Sequence, residues 1–78
     1  RYSEAERQFA RLVDSQPDDD YAHVGLGLAY ARQGLHREAA EHLALAVAMR
    51  PDRADYVRSL EQVRATIRAQ PAPRQPLA

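Results

Sequence analysis

Three histidines, a run of three aspartates and three serines are the side chains with the most chemistry to offer in this chain. His36 and His42 stand six residues apart, which turns them away from each other on a helix, unlike the i, i+4 pair of a helical zinc site. Glu38 and His42 do share a helical face, the usual spacing of a solvated side-chain pair. His23 falls among apolar positions and reads as core filler. Asp18, Asp19 and Asp20 lack the later oxygen ligands and the Glu of a calcium loop. They are better read as caps on a helix N-terminus, where free N–H groups and a partial positive charge collect. Ser3, Ser15 and Ser59 have no His and carboxylate at triad-like spacing, and there is no glycine-rich phosphate loop. The absence of Cys removes disulfides, thiolate metal sites and a Cys nucleophile. The expectation is a chain without catalytic residues, metal or cofactor.

These groups sit on helices. Ser3 and Glu6 form a capping box, and Ala5, Phe9, Leu12 and Val13 recur at three- and four-residue spacing up to about Ser15. Pro17 closes that helix. A second helix runs from the aspartates to about Gln33, where Gly34 can take the left-handed conformation that ends it. A third spans His36 to Met49 with Ala39, Leu43, Ala46 and Val47 on one side, and Pro51 stops it. Asp52 is placed to cap a fourth, from about Arg53 to Ala69, with the stripe Tyr56, Leu60, Val63 and Ile67. Residues 70–78 carry three Pro and no periodicity, the pattern of a disordered tail.

The helices repeat one another. Pro17 and Pro51 lie 34 residues apart, and Ala5 matches Ala39, Phe9 matches Leu43 and Asp18 matches Asp52 at the same step. Such a period marks stacked helical hairpins. Within the middle unit the order His23, Leu26-Gly27, Tyr30, Ala39, Leu43, Pro51 resembles the tetratricopeptide repeat, with Ala46 among the packing residues. It departs from that pattern only in His23, where the family usually has Trp, and Leu43, where it usually has Phe. The packing logic is visible in the residue types: Gly27 inside a helix costs about 1 kcal/mol relative to Ala, a cost that makes sense if another backbone comes close, and Ala39 is the small residue facing the gap. Gly25 has no counterpart in this logic. The resemblance implies an all-α solenoid fragment of four antiparallel helices within residues 1–69: the second helix of a partial repeat (1–19), one full repeat (20–53) and a capping helix (54–69). In that last helix Val57 and Leu60 keep the pattern, while Glu61 and Arg64 replace the packing Gly and Tyr, giving the charged outer face of a terminal cap.

The second helix is apolar on two sides. His23, Leu26, Gly27 and Tyr30 share the packing side, and Tyr21, Val24, Leu28 and Ala31 share the other, with Arg32 at its margin. In the resembled family the first helices of successive units line a concave groove for extended or helical peptides. The second stripe maps onto that groove, with Asp55, Arg58 and Gln62 of the last helix as its polar edge. The expected function is a protein-binding scaffold; the alternative is that the stripe only packs against missing N-terminal repeats. A carboxylate clamp for a partner's C-terminus is unlike this chain, which has no Asn and carries Gly25 and Leu28 at the matching positions.

Charge and length bound the remaining classes. With 11 basic and 11 acidic residues there is no net field toward nucleic acid or membrane. The six Arg from Arg50 onward, with Arg53, Arg64 and Arg68 on neighbouring wheel positions, are interrupted by Glu61 and read as a solvated face rather than a phosphate-tracking one. No apolar run reaches the roughly 20 residues of a membrane span. The expectation is a cytoplasmic protein, although the chain opens at Arg1 without a Met and could be a piece whose parent carries an address. One and a half repeats bury little core, so the open face at Ala5, Phe9 and Leu12 is expected to seek upstream repeats or a second copy in a homodimer.

Overall fold

A computed structural model describes residues 4–70 as four helices: α1 (Glu4–Ser15), α2 (Asp20–Arg32), α3 (His36–Met49) and α4 (Ala54–Ala69). Each helix packs on the next in sequence, α1 on α2, α2 on α3 and α3 on α4, and no strand occurs among the described residues. The architecture is the all-α repeat stack expected from the sequence. The tail from Pro71 to Ala78 and the capping residue Ser3 lie outside the described residues.

The turns follow from a few residues. Asp19 sits at the N-cap of α2 in extended backbone and its carboxylate accepts the Ala22 N–H at 3.1 Å. At the other end Gly34 takes φ +81°, the Gly34 N–H donates to the Ala31 carbonyl, and the Leu35 N–H reaches back to Tyr30. This paired closure satisfies two carbonyls that the helix itself leaves open, and it needs a residue without the left-handed penalty of a Cβ. One expectation fails. Asp52 does not cap α4: its carboxylate takes two hydrogen bonds from the Arg50 guanidinium, at 3.1 and 2.9 Å, and α4 starts after Arg53 with no side-chain cap. A two-point guanidinium–carboxylate pair outcompetes a single bond to a backbone N–H. Arg53 in turn clasps Asp55 and lies 4.3 Å from the centre of the Tyr56 ring.

The core lies between α2, α3 and α4. Val24, Ala39, Leu43, Ala46, Tyr56, Leu60 and Val63 form one buried cluster, with Leu43 wholly enclosed. Small side chains set the helix spacing. A Cβ added to Gly27 would stand 3.0 Å from Leu43 Cγ and 3.1 Å from the Ala39 carbonyl oxygen. The backbones of α2 and α3 therefore meet where the sequence pairs Gly27 with Ala39. Gly25 has a reason too: the Phe9 ring of α1 occupies the space its side chain would need. Phe9 also meets Tyr21 edge to face, with ring centres 6.2 Å apart. The seam between α1 and α2 is thus a ring laid over a glycine, and it is supplemented by the buried Glu6 carboxylate, which accepts from the Gln33 side-chain amide.

Candidate functional site

Two clusters of functional side chains emerge, one inside the hairpin and one on the surface. Inside, His23 is 4% exposed on α2 and places its two ring nitrogens against different elements. Nε2 lies 2.8 Å from the Pro17 carbonyl oxygen in the α1–α2 turn, and Nδ1 lies 3.1 Å from Nδ1 of His42 on α3. A carbonyl can only accept, so Nε2 of His23 carries a proton. In the neutral ring Nδ1 then accepts, and His42 donates from its own Nδ1. The rings stack with centres 5.3 Å apart, and Tyr30 tilts over His42 at 5.7 Å. Burial, and after it the neighbouring His23, pulls the His42 pKa below its ordinary value, with Glu41 opposing. The pair joins the turn, α2 and α3 and is a packing device. Among the described residues no group of three or more His, Cys, Asp or Glu gathers as a metal ion would require.

His23 and His42 stand 19 residues apart, and the sequence does hold a signal for their meeting. In an antiparallel hairpin the numbers of facing residues have a constant sum. Gly27 against Ala39 therefore brings His23 opposite Leu43 and its neighbour His42.

The surface cluster is an open cleft of about 290 Å³ between α2 and α4. Leu28, Ala31 and Arg32 line it from α2, His36 from the start of α3, and Ser59, Gln62, Val63 and Thr66 from α4. Four of the residues assigned to a groove meet here: Leu28, Ala31, Arg32 and Gln62. Leu28 is 36% exposed, with Ala31 and Val63 beside it.

The other groove residues lie elsewhere. Val24 is 8% exposed and belongs to the core, so it is corrected from a groove position to a packing one. It joins the buried cluster that Ala39, Leu43 and Ala46 of α3 form with Tyr56, Leu60 and Val63 of α4. Tyr21 is 65% exposed on the α1 side, beside Phe9. Asp55 is held by Arg53, which lowers its carboxyl pKa, and neither Asp55 nor Arg58 lines the cleft. Of the packing residues, His23, Leu26, Gly27, Ala39, Leu43 and Ala46 are buried, Tyr30, Ala5 and Phe9 are half-buried, and Pro17 and Pro51 are exposed in the turns. Two of the additional cleft residues follow from the period of 34, since Ser59 and Thr66 are the repeat equivalents of Gly25 and Arg32. His36 enters only because the α2–α3 turn brings the start of α3 beside the end of α2.

A hydrogen bond between units fixes the two walls of the cleft. The Tyr56 hydroxyl on α4 donates to the Asp20 carboxylate at the start of α2, at 2.6 Å. That bond raises the phenol's pKa, and burial adds to the effect. No helix among the described residues is long and apolar enough to cross a membrane.

Comparison with known proteins agrees with this geometry. No curated protein and no solved structure matches the chain. The tetratricopeptide-repeat family model matches residues 1–54, spanning α1, α2, α3 and the turn into α4. The chain therefore belongs to the tetratricopeptide-repeat family, whose repeats serve in general as protein–protein interaction scaffolds and are typically non-catalytic.

Proposed function

We propose that the chain is a non-catalytic binding module that takes an extended or helical partner segment into the cleft between α2 and α4. The observation that carries this reading is the exposure of Leu28 beside Ala31 and Val63 in an open depression whose rim, Arg32, Ser59, Gln62 and Thr66, is polar. Apolar floors with a few polar groups at the edge suit a side chain inserted from a partner. The stripe read from the sequence is divided in its labour: Val24 packs the core, Ala31 packs partly against it, and the exposed part of Leu28 is available to a ligand.

The test is a selection of random displayed peptides on the immobilised protein, followed by rebinding to variants. Leu28→Asp should cost at least tenfold in affinity while the helical circular-dichroism signal is retained. Leu45→Asp, at an exposed α3 position outside the cleft, should bind like the parent. A selection that enriches nothing, or peptides indifferent to Leu28→Asp, removes the cleft as the binding surface. If Leu28→Asp unfolds the protein as a core truncation does, the stripe is packing surface instead.

A further inference from the structure

We infer that the occupant of this cleft is a protein segment that sets a side-chain carboxylate next to an aliphatic side chain. This rests on the cleft being the binding surface, and it follows from what the lining offers and what it lacks. The aliphatic part meets Leu28, Ala31 and Val63. The polar part of the lining is rich in donors and contains no Asp or Glu. Arg32 is exposed and has no ion-pair partner among the described residues, unlike Arg7, Arg50 and Arg53, each of which holds a carboxylate.

His36 also lines the cleft. Its Nδ1 is shut off from solvent without a hydrogen-bond partner. A stranded lone pair is more tolerable than a stranded N–H, so the neutral ring keeps its proton on Nε2 and has an N–H to give.

The carboxylates near this end of the molecule are spent or turned aside. Glu6 accepts from the side chain of Gln33, next to Arg32 in the chain, and Glu38, two residues after His36, is outside the lining. Glu61, although next to Gln62 in the chain, is outside the lining. A guanidinium with no internal partner, at the margin of an apolar depression, is complementary to an acidic group held against an aliphatic one.

Three peptides with one aliphatic pattern test this, acetylated and amidated so that no terminal carboxylate is present, with Glu, Gln or Lys at the variable positions. Binding to the isotope-labelled full chain is followed by amide chemical shifts at low salt. The Glu peptide should bind about fivefold tighter than the Gln peptide, the size of one partly exposed charge pair, and the Lys peptide should be weakest. Arg32→Gln should abolish the Glu-over-Gln preference. Arg58→Gln, which changes the net charge equally but lies outside the lining, should leave the preference in place.

Equal affinity of the Glu and Gln peptides, with shifts at Leu28 and Val63, overturns the carboxylate assignment while the cleft stands. A Glu preference that survives Arg32→Gln overturns it as well, because the charge is then read elsewhere. If none of the peptides shifts cleft resonances, the binding surface and its ligand chemistry fall together.

Discussion

Gly27 sits where Leu43 and the α3 backbone leave no free room for a Cβ. In an exposed helix interior, Gly→Ala stabilises by about 1 kcal/mol, because Ala loses less backbone freedom on folding. At Gly27 the new methyl would stand 3.0 Å from Leu43 Cγ and 3.1 Å from the Ala39 carbonyl oxygen. Carbon pairs prefer about 3.5–4.0 Å, so the contact with Leu43 overlaps by roughly half an ångström. Neither neighbour can yield cheaply: Leu43 is wholly buried, and the oxygen belongs to the α3 backbone. Overpacking of this kind costs about 1–3 kcal/mol. Set against the gain in helix propensity, Gly27→Ala should be neutral to about 2 kcal/mol destabilising, and Gly27→Val, larger and β-branched, worse still. Urea unfolding followed at 222 nm gives the difference from the shift in midpoint at unchanged slope. A Gly27→Ala protein about 1 kcal/mol more stable than the parent would mean that no backbone approaches there, and the account of helix spacing would be wrong.

Two more predictions concern polar contacts between elements. His42, depressed by burial and by His23, stays neutral in the folded chain at a pH where the unfolded chain, with its ordinary value of about 6.5, takes up a proton. The contribution is therefore intact above pH ~6.5 and is lost as pH falls through the lowered folded value. Urea midpoints should drop between pH 7.5 and 5.5, less so in His42→Phe; a flat or rising midpoint contradicts the sign. Tyr56→Phe deletes the donor to Asp20 and should cost about 1.5–3 kcal/mol, as for a hydrogen bond to a charged group. Combined with Asp20→Asn it should show strong non-additivity, and strict additivity would mean that the bond contributes nothing.

Local and periodic features are legible in the sequence alone. Pro17, Gly34 and Pro51 punctuate the chain because their backbone preferences act within a residue or two. The period of 34 and the pairing of Gly27 with Ala39 carry the hairpin register, since side-chain size alone announces where backbones can touch. The face of α2 that would meet a partner could be drawn on a wheel, but a wheel knows only one axis. It could not show that Val24 joins the core while Leu28 stays open, or that Tyr21 falls on the α1 side.

Tertiary structure decided the contacts that depend on reach between helices. Gly25 is small because a ring from α1 lies on it. Asp20 and Tyr56, 36 residues apart, and Gln33 and Glu6, 27 apart, meet only once the helices are stacked. A residue's type and spacing state what it prefers within its own turn of helix. Which of several polar groups becomes its partner is settled by distances between axes, and those exist only after the core has closed.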